Sequence, residues 1–121
     1  MKLLPDSSLD EWLGGLTGAA GQFDWDAGNR SKGQKHGVEP SGVESLFHRT
    51  VFLAGRVVEP AHDELRWLLL GETEAGRRLA LIFTRRGKQL RPISCRSMRR
   101  DERRLYDDAK ARLEGGSEEG R

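Results

Sequence analysis

The sequence is poor in cysteine and proline and has no long apolar run. A single cysteine, Cys95, excludes an internal disulfide framework and fits a reducing compartment. It lies inside an apolar strand-like run, where a small buried hydrophobe is a simpler reading than a nucleophile. No apolar stretch approaches the ~18 residues of a membrane span. Only Lys2 precedes Leu3–Leu4 before Pro5–Asp6, which does not make an export signal. These absences point to the cytoplasm and to no membrane partner. His-x-x-x-His, Cys-x-x-Cys and dense carboxylate sets are also missing, so neither a dedicated metal site nor a cofactor is expected.

What is present is charge. At 121 residues the chain is long enough to bury one core without staples, and its 36% hydrophobic content lies under 33% charged residues. The net charge of only +2 hides a strong local field: Arg77–Tyr106 holds eleven lysines and arginines against Asp101 and Glu102 alone. Residues 1–26, 59–76 and 107–121 are each net acidic. A cationic concentration of this size suits a polyanion, first of all nucleic acid. A solvated basic face, or a docking surface for an acidic partner protein, uses the same charges.

Ser8 followed by Glu11 fits a capping box, and Leu9, Trp12, Leu13 and Leu16 form one apolar stripe, predicting a short helix over 8–16. Residues 17–22 are Gly/Ala-rich and read as a linker. Phe23–Asp24–Trp25–Asp26 alternates apolar and acidic residues, as a short edge strand does. A polar, basic helix over 27–35 then ends at His36–Gly37, and Val43, Leu46 and Phe47 mark a further helix. From residue 51 the period changes. Val51–Val58, Leu65–Gly71, Arg77–Thr84 and Gln89–Cys95 are strand-like runs with connectors too short for parallel crossovers. Met98, Glu102, Leu105, Tyr106, Ala109 and Leu113 share a helical face, predicting a covering helix from about 98 to 113. This order describes an α+β fold: N-terminal helices, a twisted antiparallel sheet (a meander of about four strands plus a short edge strand) and a C-terminal helix. The expected organisation is an N-terminal extension over 1–22, a domain over 23–114 and a disordered tail over 115–121.

Several pieces, in order and spacing, resemble the BrnT family of toxins from bacterial type II toxin–antitoxin systems. They are Phe23–Asp26, Asn29–Arg30, Lys35–Val38, Arg66–Gly71, Gly76–Arg77, Ile82–Arg85 and Arg91–Arg96, followed by Arg100, Glu102, Arg103 and Tyr106. One departure is Lys32, where the commoner form has Asn three residues before the Lys of Lys-His-Gly. The resemblance implies a RelE-like ribonuclease fold and metal-independent RNA cleavage that arrests translation. It also implies neutralisation by a cognate BrnA-like antitoxin, with operator DNA bound only through that antitoxin.

Metal-free RNA cleavage needs a base for the 2′-OH proton, cations for the phosphorane charge and an acid for the leaving oxygen. Arg77, Arg85, Arg91 and Arg96 lie on or beside strands, and a guanidinium fork matches two phosphate oxygens at once. One preorganised donor at a developing oxyanion is worth roughly 2.7–4 kcal/mol. The candidate catalytic residues are Arg96, Arg91, His36 and Glu102. Arg91 and Arg96 are five apart, so a regular strand points them to opposite faces unless a bulge intervenes. Arg91 could instead anchor a carboxylate under the C-terminal helix. His36 has the intrinsic pKa for proton transfer near neutrality, about 6.5, but at a helix end it can serve as a cap. Glu102, the charged residue on an apolar stripe, is either an anchor for one of these arginines or a general base.

Candidate RNA-binding residues are Lys35, Arg66, Arg77, Arg85, Arg100 and Tyr106, with Tyr106 and Trp67 also placed by periodicity in the core. His48 and His62 read as surface residues. Two other functions use the same sequence: a non-catalytic nucleic-acid-binding module, and an inactive scaffold that holds an antitoxin.

Overall fold

The change of hydrophobic period at residue 51 marks the border between the N-terminal helices and the long strands of a sheet. A computed structural model describes residues 1–119, with side chains through Leu113. The strands are β1 (Lys2–Leu4), β2 (Phe52–Glu59), β3 (Trp67–Glu72), β4 (Arg78–Arg86) and β5 (Gln89–Ser97). They form one sheet in the order β1-β2-β3-β4-β5, and every neighbouring pair is antiparallel. All six residues of β3 are buried, as a middle strand covered on both faces requires. The helices are α1 (Asp10–Gly14), α2 (Ala27–Gln34), α3 (Pro40–Ser45) and α4 (Arg100–Glu119).

Alternation along the strands builds two cores. On one face Trp67, Leu69, Leu79, Leu81, Phe83, Leu90 and Cys95 meet Leu9, Leu13, Leu16, Phe23, Val43 and Leu46 from the N-terminal half. On the other, Leu68, Leu70 and Ala80 meet Met98 and Tyr106 beside α4. Each fully buried leucine contributes about 1.5–3 kcal/mol. Burial on α4 is narrower than its apolar stripe: Met98, Glu102, Tyr106 and Ala109 are buried, while Leu105 and Leu113 are exposed. The helix also runs on to Glu119. The expected tail over 115–121 therefore begins within the helix backbone; its side chains, and residues 120 and 121, lie outside the described residues.

The short fifth strand is not where alternation puts it. Phe23 makes only an isolated parallel bridge to Leu90, and Asp26 is the N-cap of α2. The acidic residues of that segment serve a helix start and an arginine rather than a strand face. The fifth strand is instead Lys2–Leu4, too short to show a period, which pairs with β2 at the edge opposite β5. The 8–16 helix shrinks to α1, whose N-cap is Leu9 without a side-chain cap bond; Ser8 instead donates its amide to Asp6. The 17–22 segment carries a 3-10 turn, Ala20–Gln22.

Asp6 joins this first segment to the sheet. Its carboxylate accepts the Trp67 indole N–H at 2.9 Å and the Ser8 amide at 2.9 Å, with the Arg56 Nε at 3.8 Å. The Ser8 bonds first, then the indole, hold the carboxyl down at about 2 from an ordinary 3.8. A carboxyl depressed on folding contributes stability that is fully present above its ordinary value and is lost as pH falls through the folded value. Asp6→Asn is expected to lower stability at pH 7 by about 1.5–3 kcal/mol in urea unfolding. The gap to wild type should close between about pH 4 and pH 2. A gap that is absent at pH 7, or that widens on acidification, contradicts this role.

Candidate nucleic-acid interface

The edge strand β5 carries both catalytic-candidate arginines, and a bulge decides their direction. Ile82 pairs with Ser94 but Phe83 pairs with Pro92, so Ile93 is an extra residue. Leu90 and Cys95, five apart, consequently share one core, and Arg91 and Arg96 beside them both take the opposite face. The regular-strand expectation is thereby corrected. α4 contacts β2 and β3 on that face. The β4–β5 part stays open, with Ile82, Ile93 and Ser94 half-exposed.

The two arginines are held by different elements. Arg96 places Nη1 at 2.6 Å from Glu102 Oε1 and Nη2 at 3.0 Å from Oε2, a two-point fork onto α4. Both side chains are largely buried, 18% and 10% exposed, which keeps water from competing for the pair. Burial pushes the Glu102 carboxyl up, but the Arg96 fork and the Arg99 amide at 2.8 Å more than offset it, leaving it below its ordinary value. Arg96 is held above its own, by the Glu102 hydrogen bonds before all else. A carboxylate held ionised in this way is a good anchor and a weak base.

Arg91, at the other end of β5, reaches Asp26 at 2.6 Å and Asp24 at 3.4 Å. Its anchor is therefore the start of α2, not the C-terminal helix. Asp26 also accepts the Asn29 amide while Asn29 Oδ1 accepts the Asp26 amide, a reciprocal capping box. Buried Asn29 then donates to the carbonyls of Asp24 and Pro92 at 2.9 and 3.0 Å, fastening α2 to β5. The Asp-x-Asp-x-x-Asn spacing is thus the local code for this junction.

At the far end of α2, Gly37 adopts φ +68° and turns the chain back, so Val38 N–H reaches the Gly33 carbonyl. Arg77 caps this turn. It donates to the carbonyls of His36 (2.6 Å) and Gly37 (2.8 Å) and to Ser97 Oγ (2.9 Å). Its guanidinium is occupied inside the protein, and it holds the Lys35–Gly37 turn against the residue that follows Arg96. His36 and Lys35 are both exposed, and neither side chain has a hydrogen-bond partner among the described residues.

The remaining candidates are scattered. Arg85 stacks over Trp12, 4.8 Å from the ring centroid, and donates to the Gly87 carbonyl. Arg66 pairs with Glu64 at 3.3 Å, and its buried Nε has no partner among the described residues. Tyr106 is buried and donates to Glu72 Oε1 at 3.1 Å; burial first, then Glu72, pushes its hydroxyl up to about 12. Lys110 shares that carboxylate at 3.0 Å. Arg100 opens α4 and is exposed. His48 bonds Glu74 on the surface, His62 is exposed, and burial raises the Cys95 thiol to about 12.

Sequence reasoning did not single out Arg99 and Arg104. With Arg100 and Arg103 they are exposed and make no ion pair among the described residues. Their i, i+1, i+4, i+5 spacing was the available signal. No three His, Cys, Asp or Glu side chains converge among the described residues, and no described helix is long and apolar enough to cross a membrane.

Residues 25–102 match the family described as ribonuclease toxin, BrnT, of type II toxin-antitoxin systems. The chain belongs to the BrnT family. No curated protein matches it. The BrnT match begins inside the Asp24–Asn29 junction and ends on Glu102, so the two anchors of β5 bracket it. β1 and α1 lie outside it, as does most of α4.

The fork between Arg96 and Glu102 generates a direct expectation. Arg96→Ala and Glu102→Ala should each cost about 3 kcal/mol, because each leaves a largely buried charge unpaired. Their double-mutant cycle should show a coupling of about 2 kcal/mol in urea unfolding. Because the Glu102 carboxyl is depressed on folding, its contribution is present above the ordinary carboxylate range and fades on acidification below it. Additive single effects contradict the fork.

Proposed function

We propose that this BrnT-family chain is a metal-independent endoribonuclease with a RelE-like arrangement. It acts in the cytoplasm, cleaves RNA to inhibit translation, and is held inactive by a cognate BrnA-like antitoxin. Operator DNA is reached only through that antitoxin. The observation that carries the reading is Arg96: a guanidinium fixed at two points by Glu102, on an open sheet face, inside the segment that matches a ribonuclease family.

The chemistry assigned to this corner is in-line attack of a ribose 2′-oxygen on the adjacent phosphorus. The P–O2′ bond forms and the P–O5′ bond breaks. A base accepts the 2′-OH proton, and the 5′-oxygen leaves with a proton from an acid. Arg96 meets the charge that gathers on the non-bridging oxygens, and its rigid anchor keeps reorganisation small. His36, exposed at the turn that Arg77 ties to Ser97, is the proton carrier in this reading. Glu102 stays ionised and holds Arg96. Arg91 orders the α2 junction, and Lys35 contributes a charge beside His36.

Binding without cleavage is the second reading. It draws on the free imidazole of His36, which no hydrogen bond orients among the described residues.

The test is RNA integrity and translation after brief induction, comparing wild type with Arg96→Ala, together with a purified reaction containing chelator. Rapid cleavage that survives chelator and falls at least a hundredfold in Arg96→Ala, about 2.7 kcal/mol or more, supports the proposal. Intact RNA and normal growth with folded wild-type protein would leave the binding reading in its place.

A further inference from the structure

Two populations stand out among the arginines of this protein. Those of the sheet are occupied: Arg66 with Glu64, Arg77 with three oxygens, Arg78 with Asp107, Arg86 with Glu64, Arg91 with Asp24 and Asp26, and Arg96 with Glu102. Arg99, Arg100, Arg103 and Arg104 are exposed and unpaired among the described residues.

Arg99 immediately precedes α4 and the other three lie on it, and their placement is sided. At 100° per residue the four arginines fall within one sector of the helix. That sector also contains Asp107, whose carboxylate is taken by Arg78 of β4 at 2.8 Å. Asp101 and Asp108, seven apart, lie together on another sector, and neither makes an ion pair among the described residues. Glu102, between Arg99 and Arg103, is taken by Arg96. Among the described side chains, the acidic residues of this helix (Asp101, Glu102, Asp107 and Asp108) are therefore either used by the sheet or turned away from the arginine band.

Local helix energetics oppose this arrangement. Cations at a helix N-terminus face the positive end of the macrodipole, and Arg99–Arg103 and Arg100–Arg104 are like-charge i, i+4 pairs. A polyanion relieves both conflicts. The band begins next to Glu102, on the side of α4 from which Asp107 reaches β4, so it continues outward from the Arg96 site.

We propose that Arg99, Arg100, Arg103 and Arg104 form a rail that tracks the phosphates of single-stranded RNA and feeds it to the Arg96 corner. The electrostatic affinity for RNA resides on this band of four, while the sheet arginines are structural or act on one phosphate. This rests on the ribonuclease reading above and assigns its RNA-binding surface. An acidic protein segment is the competing occupant. RNA is favoured because the band adjoins Arg96, a cation that Glu102 fixes in place, and because planar guanidinium groups suit phosphate.

The test uses full-length protein and a non-cleavable 2′-O-methyl oligouridylate 20-mer, with affinity measured across salt concentrations. R99Q/R100Q/R103Q/R104Q is compared with a charge-matched control at four exposed cations elsewhere, K2Q/R30Q/K32Q/R112Q. For single strands each lost phosphate contact reduces the log–log salt slope by about 0.7, so the rail variant should lose close to 3. Its affinity at 50 mM salt should fall at least a hundredfold, while the control changes slope by less than about 0.7. Thermal stability of the rail variant should hold or rise, since the removed charges oppose the helix; a lowered melting temperature would assign them to the fold and overturn the proposal. R100Q and R104Q singly should each reduce the slope by about 0.7, independently of the quadruple variant. Equal loss in rail and control variants, or an unchanged slope in the rail variant, overturns the rail while leaving the ribonuclease reading intact. A polyglutamate peptide that binds as tightly as the oligomer, with the same dependence on the four arginines, transfers the surface to an acidic protein. Wild type that fails to bind the oligomer at 50 mM salt takes the RNA reading down with it.

Discussion

A guanidinium cannot sit largely buried on an edge strand without a counter-charge, and Glu102 supplies it to Arg96 in both oxygens at once. Much else follows from that requirement. Glu102 must lie in the first turn of α4, so the helix begins within reach of β5, where Arg99 N–H also finds the carboxylate. Farther along, Tyr106 and Lys110 meet Glu72 at the end of β3, which sets the direction of α4 over the sheet. With the helix over β2 and β3, the β4–β5 face stays open beside a fixed cation.

The opposite end of β5 is secured by the same means from the other layer. Asp24 and Asp26 hold Arg91, and Asn29 stitches α2 to the Pro92 carbonyl. Between the two anchors the Ile93 bulge brings both arginines to one face. The edge strand is thereby blunted by a bulge and by paired charges, which protects it from adding another strand. The features that leave the β4–β5 face open also keep that edge from aggregating.

Much of the fold was legible because the apolar period is strong where burial is complete. The four long strands lie within two residues of the runs read from alternation, and the buried residues of α4, Glu102, Tyr106 and Ala109, all belong to the face read from its helical period. Phe23–Asp26 misled because an alternating apolar–acidic tetrapeptide looks the same whether its carboxylates face water, cap a helix or clamp an arginine. Lys2–Leu4 was too short to register. The site was less legible than the fold. Arg77 stands in the basic run like any other arginine, yet its charge is spent on the carbonyls of His36 and Gly37, forty residues back in the chain. Local charge counts cannot distinguish an occupied guanidinium from a free one; only long-range partners do.

The chemical form of the cut RNA ends tests the account most directly. Purified wild-type protein would be incubated with a defined RNA in chelator, and the fragments analysed by mass. Attack by the neighbouring 2′-oxygen at the Arg96 corner predicts 2′,3′-cyclic phosphate on one fragment and 5′-hydroxyl on the other. Fragments ending in 5′-phosphate and 3′-hydroxyl, produced only when divalent metal is restored, would contradict it.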